Sequence, residues 1–302
     1  MTYDIIVVGG GPAGMTAALY AARAGKSVLL LEREMTGGQI LQSQRIENYP
    51  ALPETDGYTF AENLKAQILS CGVVIENRMA TGLAEREGGY AVQTDAGDLQ
   101  ARALILATGL KHKQLNVSGE QALIGRGISF CATCDGIFFR KKEVAVVGGG
   151  NTAVQDALVL SEFCSKVYLI HRRNELRAER ALTERMFSKE NVIFIGETVI
   201  DRIVGETRLE ALKLKNVTSG EYFDLPVAGL FEAIGYQPQN EPFRGMVELD
   251  ADGYFVTDEH CATSLPGVFA AGDGRQKEVR QLTTATADGT VAALSAAAYL
   301  DA

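Results

Sequence analysis

One pattern, an apolar run followed by a glycine turn and a helical segment, occurs twice in this sequence. Residues 5–8 lead into Gly-Gly-Gly-Pro-Ala-Gly at 9–14, and residues 144–147 lead into Gly-Gly-Gly-Asn-Thr-Ala at 148–153. Apolar residues at helical spacing and then a second apolar run follow each turn, which predicts a β-strand, an α-helix and a parallel β-strand in each copy. The helices are predicted over 15–24 and 154–163, and the second strands over 27–31 and 166–170.

The repeat extends beyond these opening motifs. The run Leu-Ile-Leu-Ala-Thr-Gly at 104–109 resembles Leu-Phe-Glu-Ala-Ile-Gly at 230–235, and each follows a hairpin-like region that turns near 95–98 or 218–221. This organisation predicts an α/β protein with two Rossmann-like dinucleotide-binding domains of the three-layer ββα type. The last segment is too short for a domain of its own, so we expect it to complete the first domain. The predicted boundaries are 1–112 with 243–302 for the first domain and 113–242 for the inserted one.

Both glycine turns have the spacing of a dinucleotide-binding fingerprint. Glycine lets the backbone approach a pyrophosphate closely, and the phosphate charge then faces the free N–H groups and the positive dipole end of the following helix. We therefore interpret the two turns as two nucleotide sites. The residues concerned are Gly9, Gly11 and Gly14 in the first turn and Gly148, Gly150, Asn151, Thr152 and Ala153 in the second.

The residue that follows the second strand differs between the two copies. At the same distance from the first glycine, one copy has Glu32 and the other has His171. A carboxylate at this position accepts hydrogen bonds from ribose hydroxyl groups and repels a 2′-phosphate. The second copy continues with Arg172, Arg173 and Arg177, whose guanidinium groups suit a phosphate. The first site is therefore predicted to prefer an unphosphorylated ribose, and the second to favour NADP over NAD.

A third candidate site is the motif Cys131-Ala-Thr-Cys134-Asp135. A zinc site is one interpretation, but a structural zinc ion needs four ligands, and the sequence contains no second C-x-x-C motif. A reversible dithiol is favoured, because this spacing lowers the pKa of a thiol and allows rapid disulfide exchange. Asp135 is then a candidate for the proton transfer that a thiolate needs. No metal site is predicted.

Composition excludes several other classes of protein. The formal net charge is −9, so no broad basic surface for nucleic acid or anionic lipid is expected. The sequence contains no run of about 18 apolar residues that would indicate a membrane-spanning helix, and the N-terminus lacks the basic leader of a signal peptide. The five cysteines are therefore expected in a reducing compartment, where a close pair favours a catalytic role over a structural one.

These motifs together resemble the bacterial low-molecular-weight thioredoxin reductases, which are flavin-dependent pyridine nucleotide-disulfide oxidoreductases. The resemblance covers nearly the whole chain, and its most specific part is the hexapeptide Cys-Ala-Thr-Cys-Asp-Gly at 131–136. It implies that the first site holds FAD and that the inserted domain holds NADPH together with the redox-active pair. The further FAD contacts that it implies are Gly38, Gln39, Asn48, Thr108, Gly109, Gly272, Asp273, Arg280 and Gln281.

The resemblance also implies a reaction. Electrons would pass from NADPH through FAD to the Cys131–Cys134 disulfide and then to oxidised thioredoxin, with Cys134 facing the flavin, Cys131 attacking the partner and Asp135 as acid and base. Rotation of the inserted domain about hinges near 110–118 and 236–243 would bring each reactant to the flavin in turn. The resemblance further implies that the protein is a homodimer in the cytoplasm. Three alternatives remain: a relative that takes electrons from ferredoxin, a dithiol oxidase, and a non-catalytic nucleotide-sensing or zinc-stabilised scaffold.

Overall fold

The chain folds into two compact units, which a computed structural model describes for residues 2–43, 46–52 and 54–302. The first unit comprises 1–111 and 237–302, and the inserted unit comprises 112–236. The inserted unit thus interrupts the first one in sequence.

Both units combine parallel strands with helices, and their elements are numbered here in chain order. The strands are β1 (Thr2–Val8), β2 (Val28–Glu32), β3 (Val74–Asn77), β4 (Ala80–Arg86), β5 (Gly89–Thr94), β6 (Leu99–Leu106), β7 (Leu110–His112), β8 (Ile128–Ser129), β9 (Glu143–Val147), β10 (Lys166–Ile170), β11 (Val192–Ile195), β12 (Thr198–Val204), β13 (Ala211–Asn216), β14 (Tyr222–Pro226), β15 (Gly229–Glu232), β16 (Tyr236–Pro238) and β17 (Val268–Ala270). The α-helices are α1 (Pro12–Arg23), α2 (Gly57–Ser70), α3 (Glu120–Leu123), α4 (Ala132–Asp135), α5 (Asn151–Ser161), α6 (Arg180–Phe187) and α7 (Leu282–Asp301). Short 3₁₀ helices cover Gly38–Gln42, Gly136–Phe139, Glu241–Phe243 and Gly272–Gly274.

The sheet of the first unit is built on β1. Strands β2 and β6 flank β1 in parallel, β3 extends the sheet beyond β2, and β17 pairs in parallel with the second half of β6. The first half of β6 instead pairs with β5 in an antiparallel branch that ends at β4. The carboxyl ends of the parallel strands therefore meet at one edge, which is where such sheets bind ligands.

The inserted unit repeats this plan. Its parallel sheet has the order β11-β10-β9-β15-β8, and a separate antiparallel sheet has the order β12-β13-β14. The predicted fold class is confirmed. The predicted hairpin turns near 95–98 and 218–221 are also confirmed, since they connect β5 to β6 and β13 to β14.

Strand alternation explains the layers on both faces of each sheet. In β1, Ile5 and Val7 pack with α1, α2 and α7, whereas Ile6 and Val8 pack with the antiparallel branch. Successive residues of β9 likewise face α5 on one side and the β12–β14 sheet on the other. A Cβ added at Gly289 of α7 would lie 2.3 Å from the Ala13 carbonyl oxygen, so small residues let α1 and α7 pack closely.

Two predicted boundaries differ from the structure. Residues 237–242, expected in the inserted domain, belong to the first unit, because buried Asn240 donates hydrogen bonds to the carbonyl oxygens of Gly253 and Gly274. Residue 112, expected in the first domain, belongs to the inserted unit. The C-terminal helix α7 begins at Leu282, since Gln281 and Thr284 cap it reciprocally. Within the described residues, no helix is both long and apolar enough to cross a membrane.

Candidate functional site

The first glycine turn joins β1 to α1 and is too tight for side chains. A Cβ added at Gly9 would lie 2.2 Å from the Ala107 carbonyl oxygen, and one added at Gly14 would lie 1.8 Å from the Gly9 carbonyl oxygen. The N-cap of α1 is Gly11, which carries no side chain to cap the first N–H groups of the helix. These N–H groups and the positive end of the helix dipole suit a phosphate group.

Glu32 ends β2 beside this turn. Its carboxylate accepts hydrogen bonds from the backbone N–H groups of Gly10 at 2.7 Å and Glu34 at 2.9 Å. The two bonds fix the carboxylate next to the glycine turn, so the structure brings together two elements that the sequence predicted separately. A fixed carboxylate here can accept further bonds from vicinal hydroxyl groups of a ribose.

A buried carboxylate oxygen belongs to Asp273, which follows a glycine that contacts α1. Oδ1 of Asp273 is shielded from solvent and has no hydrogen-bond partner among the residues that the structure describes. Burial raises the pKa of this carboxyl group. The preceding Gly272 lies against α1, since a Cβ added there would be 2.7 Å from the Ala13 side chain. A buried acceptor without a partner is what a donor from a bound ligand would satisfy.

The other predicted residues of the first unit surround this end of the sheet. Gly38 approaches Gly11, because an added Cβ would lie 3.2 Å from the Gly11 Cα. Nδ2 of exposed Asn48 donates to Oε1 of half-buried Gln281 at 3.3 Å. The remaining contacts are a hydrogen bond from Gln39 Nε2 to the Leu110 carbonyl oxygen at 2.7 Å, one from Arg280 Nε to the Asp273 carbonyl oxygen at 3.4 Å, and the Arg280 guanidinium group 4.5 Å from the Tyr254 ring centre.

Two residues that sequence reasoning missed organise this region. Asn240 accepts a hydrogen bond from the Thr108 hydroxyl at 2.5 Å and so ties the turn after β6, which contains Gly109, to the turn around Gly274. Asp288 of α7 accepts the Gly272 N–H at 3.1 Å and also pairs with Arg275 and Lys277. Both contacts join distant segments, and no local motif marks them.

The second glycine turn joins β9 to α5. Gly148 has a φ of 153°, and a Cβ there would lie 2.4 Å from the Ala233 carbonyl oxygen. At Gly150, the N-cap of α5, an added Cβ would meet no atom within 4 Å among the described residues. The helix then begins with Asn151, which exchanges two hydrogen bonds with Glu179, followed by exposed Thr152 and buried Ala153.

A basic cluster follows β10 at the edge of this turn. His171 is buried, and its ring packs on the turn, since a Cβ at Gly149 would lie 2.3 Å from the ring. Its Nε2 has no hydrogen-bond partner in the described part of the chain. Burial lowers the pKa of His171, and the positive charges of Arg177, Arg172 and Arg173 lower it further. All three arginines are exposed, so the cluster offers positive charge to an anion.

Cys131 and Cys134 are joined by a disulfide bond. Cys131 precedes α4, and Cys134 lies within it. Both are half-buried, so the pair lies at the surface of its unit. The Cys131 sulfur is 3.3 Å from the hydroxyl oxygen of exposed Thr133. A C-x-x-C disulfide that is reachable from solvent suits thiol–disulfide exchange, whereas the zinc interpretation requires free thiolates.

Asp135 lies directly beyond the disulfide, at the end of α4. Burial raises the pKa of its carboxyl group, and a hydrogen bond from Ser129 opposes that shift. The Ser129 hydroxyl donates to Asp135 Oδ2 at 2.6 Å and accepts the Cys131 N–H at 3.1 Å. Sequence reasoning missed Ser129, although its position two residues before Cys131 could have indicated it.

The remaining cysteines lie outside this site. Cys164 and Cys261 are buried, and burial raises the pKa of each thiol to about 11. Cys71 is half-buried near the end of α2. A buried thiol with a raised pKa is mostly unreactive near neutral pH.

Comparisons with known proteins agree with this geometry. A family described as pyridine nucleotide-disulphide oxidoreductase matches residues 3–289. A thioredoxin reductase of Treponema pallidum is 41% identical over 99% of this chain and 97% of its own length. The crystal structure of thioredoxin reductase from Streptococcus pyogenes, 38% identical, covers 99% of this chain and 98% of its own with a TM-score of 0.96. Thioredoxin reductase from Giardia duodenalis, 31% identical, covers 100% and 99% with a TM-score of 0.93. This chain therefore belongs to the pyridine nucleotide-disulphide oxidoreductase family.

Proposed function

We propose that this chain is an NADPH-dependent thioredoxin reductase, which uses FAD and the Cys131–Cys134 pair to reduce the disulfide of thioredoxin. The observation that carries the proposal is the surface disulfide in the same unit as a basic nucleotide turn. Relatives that align over nearly the full length bear the name thioredoxin reductase, which supports the choice of substrate.

The first unit fits FAD. Oδ1 of Asp273 lacks a partner among the described residues, which suits a ligand hydroxyl group, and the α1 N-terminus suits the pyrophosphate. The fixed carboxylate of Glu32 suits the adenosine ribose. We assign the FAD domain to 1–111 with 237–302, and the FAD contacts to Gly9, Gly11, Gly14, Glu32, Gly38, Gln39, Asn48, Thr108, Gly109, Gly272, Asp273, Arg280 and Gln281.

The inserted unit fits NADPH. Three exposed guanidinium groups follow β10, where they suit the 2′-phosphate, and the buried His171 ring packs on the glycine turn beside them. The open N-terminus of α5 suits the pyrophosphate. We assign the NADPH domain to 112–236, and the contacts to Gly148, Gly150, Asn151, Thr152, Ala153, His171, Arg172, Arg173 and Arg177.

The reduced cysteines then carry the exchange with the substrate. When bound, NADPH and FAD supply the hydride transfer that delivers two electrons to the disulfide. The Cys131 thiolate bonds to one substrate sulfur, the substrate disulfide breaks, and Asp135 gives a proton to the departing thiolate. The Cys134 thiol then gives its proton to Asp135 as its sulfur bonds to Cys131 Sγ. The bond between Cys131 and the substrate breaks, and the second substrate sulfur leaves as a thiolate that takes a proton from water. The Cys131–Cys134 disulfide is restored, and the substrate has gained two electrons and two protons.

Two further properties complete the proposal. We propose a cytoplasmic location, since a working dithiol needs a reducing compartment and the three remaining cysteines are free. We also propose a homodimer, as the resemblance implies. Light scattering coupled to size exclusion tests the second property, and a mass of one chain, 32.4 kDa, contradicts it.

The decisive assay is NADPH-dependent reduction of thioredoxin. Cys131→Ser and Cys134→Ser are each expected to lose at least about a thousandfold of the activity, because both sulfurs are required for a complete exchange. Cys71→Ser, at a half-buried free cysteine outside the site, is the matched control and is expected to retain it. Retained activity in either of the first two variants contradicts the dithiol assignment.

A further inference from the structure

Ser129 links the two ends of the disulfide segment through one hydroxyl group. It ends β8, is buried, and precedes Cys131 by two residues. Its Oγ accepts the Cys131 N–H at 3.1 Å and donates to Asp135 Oδ2 at 2.6 Å. The backbone supports the same segment, since the Asp135 N–H donates to the Cys131 carbonyl oxygen at 3.1 Å.

The hydroxyl group has a second acceptor within reach. The Cys131 carbonyl oxygen lies 3.4 Å from Ser129 Oγ. When Asp135 is ionised, the serine proton can point to Asp135 Oδ2. When Asp135 is protonated, Oδ2 can donate to Ser129 Oγ, and the serine proton can turn to the Cys131 carbonyl oxygen. Rotation of the serine hydroxyl about its Cβ–Oγ bond therefore keeps the hydrogen bond to Asp135 in both protonation states, and the carboxyl group does not have to move.

We propose that Ser129 is a positioning residue for proton transfer by Asp135 at the dithiol. The inference rests on the proposed function, because the proton that Asp135 carries is the one that leaves with a substrate thiolate. Ser129 keeps the carboxyl group aimed in both protonation states. Asp135 accordingly gives up its proton and regains it without moving away from the sulfurs.

Electrostatics supports this role. Burial raises the pKa of Asp135, and the Ser129 bond opposes the shift by stabilising the ionised form. Two other titratable groups belong to neighbouring elements. Asp156 on α5, which packs against α4, has a pKa raised by burial to about 7. His112 stacks on Phe130 with ring centres 4.1 Å apart, and burial lowers its pKa to about 4, so it stays neutral above that pH.

The test compares Ser129→Val with Ser129→Thr. Valine and threonine side chains have nearly the same shape, so both variants crowd the buried site equally. They differ in the hydroxyl group, which only threonine keeps. We expect Ser129→Val to lower kcat for thioredoxin reduction by about tenfold, with KM for thioredoxin changed by less than about twofold. We expect Ser129→Thr to stay within about threefold of the wild type. Ser161→Ala removes another buried, hydrogen-bonded serine of this unit and is the control outside the site.

A second readout does not depend on turnover. The infrared spectrum of each protein, minus that of the same protein with Asp135→Asn, isolates the band of protonated Asp135. The pH dependence of this band gives the pKa of Asp135. The pKa is expected to rise in Ser129→Val, since the bond that favours the ionised form is lost, and to stay unchanged in Ser129→Thr. Asp156→Asn identifies any contribution from the second carboxyl group.

The double variant decides whether Ser129 acts through Asp135. In the Asp135→Asn background, Ser129→Val is expected to cause no further loss of kcat. An equal loss in both backgrounds, an unmoved Asp135 pKa, or the same loss in Ser161→Ala overturns the inference. These outcomes are distinct from failure of the proposed function, in which the wild-type chain itself reduces no thioredoxin.

Discussion

The two glycine turns share one backbone plan but differ at two positions beside the proposed nucleotide sites. Gly14 in the first turn corresponds to Ala153 in the second, and Glu32 corresponds to His171. At Gly14 a Cβ would lie 1.8 Å from the Gly9 carbonyl oxygen, whereas Ala153 is accommodated with its side chain fully buried. The two copies therefore share the backbone of the turn and differ in the side chains around it, to which we assign the choice of nucleotide.

The comparison separates the features that both units share from the one that distinguishes them. A strand, a glycine turn and an uncapped helix N-terminus suit a pyrophosphate in either unit. The choice of ribose depends on the residue after the second strand, which is a fixed carboxylate in one unit and a basic cluster in the other. In the proposed function, the two units therefore differ in ligand because of a few residues at the carboxyl edge of each sheet.

The largest expected effect comes from making the first turn like the second. Gly14→Ala places a Cβ against the Gly9 carbonyl oxygen, so the turn must shift, and we expect FAD affinity to fall by at least about a hundredfold, or about 2.7 kcal/mol. The flavin-to-protein absorbance ratio after purification measures this. Ala153→Gly, the reverse change, is expected to leave the ratio unchanged. A stoichiometric flavin content in Gly14→Ala would contradict the assignment of FAD to this turn.

Removing the basic cluster tests the second difference. The double variant Arg172→Ala and Arg173→Ala is expected to lower kcat/KM for NADPH by roughly a hundredfold, because two charge-assisted contacts to the 2′-phosphate are lost. The kcat/KM of the double variant for NADH is expected to stay within about threefold of the wild-type value. Arg180→Ala, at an exposed arginine paired with Glu184, is the matched control. Equal losses for both nucleotides would mean that the cluster does not recognise the phosphate.

A smaller effect, on stability, is expected at the end of β15, where the sequence differs from the end of β6. Leu106 in the first unit corresponds to Glu232 in the second, which is buried and has a pKa raised by burial, with a smaller contribution from Glu120, to about 9. The unfolded chain loses this proton above its ordinary pKa and the folded chain keeps it, so the free energy of unfolding falls by roughly 1.4 kcal/mol per pH unit between the two values.

Glu232→Leu removes this titration and restores the residue of the first unit. Its Tm is expected to exceed that of the wild type by a margin that grows between pH 6 and pH 8, by roughly 3 °C or more. Glu232→Gln should show the same pH trend with a smaller gain, because a buried amide still needs partners. Thermal melts at the two pH values measure both, and a gain independent of pH contradicts the assignment.

Much of the fold follows from patterns within short segments. The strand, turn and helix of each copy, the two hairpins and the Cys131–Cys134 pair follow from local spacing, and the structure confirms these elements. Asn240 and Asp288 escaped prediction for another reason: both act through contacts that depend on the folded chain. Asn240 bonds to Thr108, which lies 132 positions away in sequence, and this contact also explains why the unit boundary falls at 236 and not at 242.

In the proposed function, the first turn holds a flavin and the second binds the NADPH that reduces it. Anaerobic stopped-flow absorbance of the purified flavoprotein tests it most directly, with NADPH and NADH compared at equal concentrations. Rapid bleaching of the flavin band by NADPH, with at least about tenfold slower bleaching by NADH, is the predicted result. Absence of bleaching by either nucleotide, or equal rates with both, would contradict the account.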